Sequence, residues 1–205
     1  YQEDIEVSFY DKLHQHEEIQ ISFIKKGEGV IFTGDTILQY REGDVLVIGS
    51  HLPHVFRTDI QENKTSIMLT LFFTFDSFGK DFFKLPIFKN IHPFIESTKN
   101  GFITHDAPKK MVKCFNKLKK ADAYSRFILF LEIVKWLSMS ENKPLSNYLY
   151  DKKITDNEGK RMQTVFEYVM NNFQKNITLD EIASLANMTK NAFCRYFKTR
   201  TNKSF

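Results

Sequence analysis

The chain has 205 residues, 42% of them hydrophobic and 26% charged, with 21 Phe and a net charge of +4. That length holds one or two domains of roughly 100–200 residues each, and the composition is that of a water-soluble globular protein. The most apolar stretch, Phe127 to Met139, is short and is broken by Glu132 and Lys135, which excludes a membrane span there. No signal peptide opens the sequence, and Cys114 and Cys194 are too far apart for a metal-binding or disulfide framework. These absences lead us to expect a cytoplasmic protein. The first residue is Tyr1 and not Met, as expected of a fragment.

In chain order, residues 5–75 read as strands. Ile19, Ile21 and Phe23 alternate with Gln20, Ser22 and Ile24. Val30 to Phe32, Ile37-Leu38, Val45 to Ile48 and Ile67 to Phe75 follow, separated by Gly27, Gly29, Gly34-Asp35, Gly43-Asp44 and Gly49-Ser50. Short β-rich runs between turn signals predict an antiparallel sandwich or small barrel. Pro86, Pro93, Gly101 and Pro108 interrupt the next stretch. Helical spacing begins at Pro108, with Met111, Phe115 and Leu118 on one face. A second helix is predicted from Tyr124 to Ser140. It is apolar on most of its circumference, so it needs cover on two sides. One side is expected to be the sheet, and a second copy of the chain is a candidate for the other. Glu141 to Gly159 is polar and reads as a linker. A further helix starts at Lys160, with Met162, Val165, Phe166 and Val169 on one face.

The last segment carries the clearest motif. Thr178-Leu-Asp-Glu181 fits a capping box. Ile182, Ala183, Leu185 and Ala186 form a short apolar stripe, Asn187-Met188 makes a turn, and Thr189 caps a helix carrying Phe193, Tyr196 and Phe197 inward. Two short helices across a tight turn predict a helix-turn-helix, whose second helix enters the major groove of double-stranded DNA. Its outward positions are Lys190, Asn191, Cys194, Arg195 and Lys198, followed by Arg200 and Lys203. Asn can pair with adenine and Arg with guanine, whereas Lys198, Arg200 and Lys203 suit phosphates. The charge distribution agrees. Residues 1–156 carry 21 basic and 21 acidic side chains, residues 157–205 carry 8 and 4, and no acid follows Ala186.

Arg161 to Phe205 resembles the first half of the DNA-binding domain of AraC-type transcriptional regulators. The resemblance rests on Arg161-Met-Gln-Thr-Val-Phe-Glu-Tyr-Val-Met-Asn-Asn-Phe173, Ile177-Thr-Leu-Asp-Glu-Ile-Ala183, Met188-Thr189, Arg195-Tyr-Phe-Lys198 and Lys203-Ser-Phe205. It implies a bacterial regulator with a second helix-turn-helix after a long helix, before which this chain stops. It also implies that Asn191, Cys194 and Arg195 face bases. Asn202 stands where the family usually has Gly.

Earlier in the chain, His14-Gln-His16, Gln20, Gly27, Gly43 to Ile48 and Gly49-Ser-His-Leu-Pro-His54 resemble the two cupin motifs in spacing. Enzymatic cupins supply Glu at the position of Gln20, Pro at that of Gly49 and often Gly at that of His51. The expectation is an α+β protein. A cupin-like sensor barrel spans residues 1–107, a helical dimerisation segment and linker 108–156, and the first part of the helix-turn-helix domain 157–205. The helices of 108–140 are the candidate homodimer contact. An unidentified small molecule is expected at the barrel mouth, near His14, His16, Gln20, Phe23, His54 and Phe56. No cofactor, catalytic residue or metal is assigned, His14, His16 and His54 being weak metal candidates only. The alternative is a metal-dependent cupin isomerase or dioxygenase using those three histidines.

Overall fold

A computed structural model describes residues 1–60, 65–149, 156–201 and 203–205. It shows two antiparallel sheets followed by helices, an α+β protein. The strands are β1 (Gln2–Glu6), β2 (Ile19–Lys26), β3 (Gly29–Thr33), β4 (Thr36–Tyr40), β5 (Val45–Ile48), β6 (His54–Thr58), β7 (Ser66–Phe73), β8 (Phe102–Thr104) and β9 (Lys143–Pro144). The larger sheet runs β1-β7-β2-β5-β8-β9, and the smaller runs β4-β3-β6.

Strand alternation divides the side chains between two cores. Ile24, Leu46, Ile48, Met68 and Ile103 point between the sheets, where they meet Ile31, Tyr40 and Phe56. Ile19, Ile21, Phe23, Val45, Val47, Leu69, Leu71 and Phe73 point to the opposite face. That face is covered by α1 (His92–Ser97), α2 (Lys109–Leu118) and α3 (Ala123–Met139), through Phe94, Met111, Phe115, Phe130, Ile133 and Leu137. Both faces of β5 are therefore buried and it is apolar at every position, while β2 places Gln20 and Ser22 on its inner face.

The helices begin where local chemistry stops the preceding chain. Pro108 sits just outside α2 in an extended conformation (ψ 139°), and Asp122 caps α3 by accepting from Ser125 N at 2.7 Å. α3 buries Phe130, Ile133, Val134 and Leu137 against the sheet. Its other side leaves Tyr124 76%, Ile128 43% and Met139 69% exposed.

The segment read as a linker is partly built into the barrel, which corrects that reading. Lys143–Pro144 pair with Phe102 and Ile103. Leu145 then buries its side chain in the core between the sheets, and its N–H donates to Gly101 O at 3.0 Å. Thr33 Oγ1 donates to Leu145 O at 2.6 Å, and Thr36 Oγ1 donates to the same oxygen. Asp35 accepts from Ser146 Oγ at 2.7 Å and from Asn147 N at 3.0 Å. Polarity in this stretch reflects side chains that bind the β3–β4 hairpin, not solvated spacer. Residues 150–155 of the predicted linker, and Asn202, lie outside the described residues.

α4 (Asp156–Asn172), α5 (Leu179–Leu185) and α6 (Lys190–Thr201) share a separate core of Val165, Ile182, Ala183, Ala186 and Phe193. Phe166 of α4 faces the barrel. Its ring meets Phe32 of β3 edge-on at 4.9 Å, and the Arg57 guanidinium lies 5.5 Å from its centroid.

Candidate functional site

The interior between the two sheets opens into a cavity of about 610 Å³ at the barrel mouth. Even-numbered residues line it, because alternation sends them inward: Gln2, Asp4 and Glu6 from β1, Gln20 from β2, His54 and Phe56 from β6, and Met68, Thr70 and Phe72 from β7. His14 lies on the same wall, beside Phe9, Tyr10 and Asp11. It is held there by a two-way backbone pair with β6, His14 N to His54 O at 3.1 Å and His54 N to His14 O at 2.9 Å.

Three of the expected residues converge. The His14 and His54 rings lie 4.2 Å apart, His16 and His54 5.1 Å, and His14 and His16 5.9 Å. One ring nitrogen from each falls within 4.8 Å of the other two. His54 is wholly buried, and burial, then the neighbouring His14, holds its pKa well below the ordinary histidine value. Burial lowers that of His14 as well. Gln20 joins the group through His16, with Oε1 3.0 Å from Nε2. Its amide nitrogen donates to Ser22 Oγ at 2.8 Å, and Ser22 Oγ lies 2.9 Å from Thr70 Oγ1. A polar file thus runs from the mouth into an otherwise apolar interior. Such files recur in ligand sites, where a few fixed polar groups orient a molecule among hydrophobic walls.

Phe56 also belongs to this wall, packed against Phe9 and Tyr40. Phe23 does not. Three residues after Gln20, it projects from the opposite face of β2 and stacks on Phe115 of α2 at 5.2 Å. The lining residues that the sequence reading omitted include Thr70, Phe72, Phe9 and Tyr10. Ser22, which extends the polar file, was visible in the sequence as the next inward position after Gln20. Phe9 and Tyr10 lie outside any strand and gave no periodic signal. The departures at residues 49 and 51 have local causes. A Cβ on Gly49 would collide with the carbonyl of Thr98 at the end of α1. His51 turns the chain in the left-handed region at φ 57°.

The carboxy-terminal module has the predicted geometry. Thr178 and Glu181 form a reciprocal capping box at α5: Glu181 N donates to Thr178 Oγ1 at 3.3 Å, and Thr178 N donates to Glu181 Oε2 at 2.9 Å. These bonds to Thr178 hold the Glu181 carboxyl below its usual pKa. Asn187, at φ 55°, makes the turn, and Met188 N closes it onto Ala183 O at 2.9 Å. Thr189 Oγ1 accepts from Ala192 N at 3.3 Å at the start of α6. Lys190, Asn191, Cys194, Arg195 and Lys198 are exposed, while Phe193 is buried. Lys190 is engaged by Asp180 at 2.8 Å. Arg200 is half-buried and lines a cavity of about 660 Å³ with Phe32, Phe166 and Phe197.

Residues 2–71 match the family of AraC-like ligand binding domains. Over 204 residues the whole chain is 24% identical to YdeC of Bacillus subtilis (strain 168), an uncharacterized HTH-type transcriptional regulator. The match covers 97% of this chain and 68% of YdeC. Among solved structures, the AraC-like transcriptional activator CuxR is similar at 8% identity with a TM-score of 0.43, over 89% of this chain and 61% of CuxR. ToxT from Vibrio cholerae is similar at 8% identity with a TM-score of 0.45, over 100% of this chain and 77% of ToxT. A second ToxT structure, bound to (E)-4-(8-methylnaphthalen-1-yl)but-3-enoic acid, has a TM-score of 0.47 at 8% identity and covers 98% and 77%. The chain is thus similar to an AraC-like ligand binding domain over residues 2–71 and to a transcriptional regulator over nearly its whole length. No described helix is long and apolar enough to cross a membrane.

Proposed function

We propose that the chain is the sensor and first DNA-reading module of a sequence-specific bacterial transcription regulator, controlled by a small molecule held at the mouth of its barrel. The observation that carries this reading is the exposed face of α6. Asn191, Cys194, Arg195 and Lys198 recur at intervals of three and four residues, so they lie along one side of the helix. No acidic residue follows Ala186, so no carboxylate within α6 opposes an approaching phosphate. Asn191, Cys194 and Arg195 meet base edges, while Lys198, Arg200 and Lys203 contact the backbone.

His14, His16, Gln20, His54 and Phe56 hold the effector, with the carboxamide and imidazoles choosing its orientation. The effector acts only through unequal affinity for two arrangements of the DNA-reading modules. A second copy of the chain covers the outer side of α3, where Tyr124, Ile128 and Met139 are exposed. This makes a homodimer through the helices of 108–140. Such a protein works in the cytoplasm, where its DNA lies, and its barrel performs no catalysis.

The test is selection of bound duplexes from a randomised DNA pool by the full-length protein. Enrichment of one motif is expected, and its loss with Arg195→Ala. A pool that stays random after repeated rounds rules the reading out.

A further inference from the structure

α2 sets a run of lysines on a body that is otherwise acidic. Residues 1–107 hold 16 acidic and 10 basic side chains, whereas residues 108–121 hold Lys109, Lys110, Lys113, Lys117, Lys119 and Lys120 and no acid. Met111, Phe115 and Leu118 turn one face of α2 into the core, and all six lysines are exposed. Lys109, Lys113 and Lys117 follow one another at intervals of four, with Asn116 beside them and Lys120 in the turn beyond. They form one stripe, in which Lys109 and Lys117 lie about 12 Å apart along the helix axis. Lys119 pairs with Glu3 at 2.6 Å, and Lys110 lies over the Trp136 ring at 5.4 Å. Among the described residues, no ion pair reaches Lys109, Lys113, Lys117 or Lys120. The flanking acids are used elsewhere: Asp106 pairs with Arg41 at 2.8 Å, and Asp122 caps α3.

The fold does not ask for this pattern. Like charges four residues apart repel along a helix. Lys109 and Lys110 stand in the first turn, where the helix dipole favours carboxylates and where none is present. The apolar face alone seats α2 on the sheet, so neutral or acidic residues on the outer face would suit the helix better. An electrostatic conflict kept on an exposed face points to function and not to stability. We propose that the outer face of α2 docks an acidic segment of another protein, one that presents Asp or Glu carboxylates at helical spacing. Charge complementarity carries this, and the position of the stripe selects among anionic partners. α2 covers the larger sheet, whereas α4 meets Phe32 of the smaller one, so both sheets lie between the stripe and the helix-turn-helix. A duplex held by α6 is therefore not carried past α2. No exposed side chain of the stripe is aromatic or aliphatic, so nothing on it enters a membrane surface. Carboxylates meeting exposed lysines give fast, salt-sensitive and modest binding, which suits a transient partner. The stripe stands on the barrel's helical layer and does not depend on the chain reading DNA.

The experiment is fluorescence anisotropy of the full chain at physiological ionic strength. The probes are a labelled helical peptide with glutamate at every fourth position and its glutamine counterpart. The glutamate peptide is expected to bind and the glutamine peptide not. Lys109→Glu/Lys113→Glu/Lys117→Glu is expected to weaken binding about 10-fold or more, the combined effect of three exposed ion pairs. Lys25→Glu/Lys80→Glu/Lys89→Glu makes the same change of net charge at scattered exposed positions. It is expected to hold the affinity within about twofold, since distant exposed charges are screened. The α2 variant relieves a repulsive first turn, so its thermal midpoint should hold or rise. Lys109→Gln/Lys113→Gln/Lys117→Gln should also lose binding, without charge reversal. Failure of the glutamate peptide to bind overturns the proposal, as does an equal loss in the scattered variant. An equally large loss of affinity for a non-operator duplex in the α2 variant assigns the stripe to DNA. A change in that variant's mass by light scattering assigns it to a contact between copies. Either result overturns the proposal.

Discussion

Arg195 and Lys198 lie on the same exposed side of α6, yet their substitution should read out differently. On the proposed reading, Arg195→Ala removes a bidentate base contact. It should relax specificity at one or two base pairs by about 1–3 kcal/mol each. On the same reading Lys198 meets a phosphate, so Lys198→Ala should weaken all sequences alike and reduce the salt slope by about one. Binding across a DNA panel at several salt concentrations separates the two. An unchanged sequence preference in the Arg195 variant refutes its assignment. Phe23 offers a second contrast. It packs on Phe115 and away from the cavity, so Phe23→Ala should cost about 3–5 kcal/mol, read as a lower denaturation midpoint. The order of Gln20, Ser22 and Phe23 already contained this answer, because residues of opposite parity on one strand face opposite ways. The convergence of His14, His16 and His54 was legible only in part. The spacing proposed their neighbourhood, but the backbone pairing between His14 and β6 that brings them together has no sequence signature.

Elements were legible where one force dominates. α2, α3 and the capping box of α5 follow apolar periodicity and end chemistry, and they appear within a residue or two of the expected bounds. β1, β6, β8 and β9 were missed because short strands with mixed polarity owe their existence to partners distant in sequence. The β9 segment shows how much such an element can matter. Leu145 is buried between the sheets, with its carbonyl bound by Thr33 and Thr36. Leu145→Ala should cost about 2–5 kcal/mol and free the chain that leads to α4. Limited proteolysis should cut first after Pro144, and an unchanged cleavage pattern argues against the latch. The same segment should loosen in acid. Burial alone would raise the Asp35 carboxyl, but the bonds from Ser146 and Asn147 outweigh it and hold its pKa below the usual value. A carboxyl whose folded pKa is depressed stabilises fully above its unfolded value near 3.9 and loses that stabilisation as pH falls through the folded one. Hydrogen exchange at Asn147 should therefore speed up in that acid range, and Asp35→Asn should abolish the dependence.

At the scale of the whole molecule, the question is how a barrel could inform a helix-turn-helix that has its own core. The connections among the described residues include two that can be named. One is covalent, through the 143–149 segment strapped to the β3–β4 hairpin. The other is the contact of Phe166 with Phe32 and Arg57. Both involve the smaller sheet, and β6 of that sheet also carries His54 and Phe56 on the cavity wall. A shift of β6 on loading the cavity therefore has a short physical route to α4, through Arg57 on the same strand. Such a route transmits only if its contacts hold in one arrangement and loosen in another. Removing the aromatic ring tests it. Phe166 is half-buried and lies outside the core that α4 shares with α5 and α6, so Phe166→Ala should leave that core folded. It should remove an edge-on aromatic pair and a cation–π contact, each worth about 0.5–1.5 kcal/mol. Hydrogen exchange should then show faster opening of α4 amides on the barrel side, with β2 and β5 unchanged. If protection in α4 does not fall, the Phe166 contact carries no coupling.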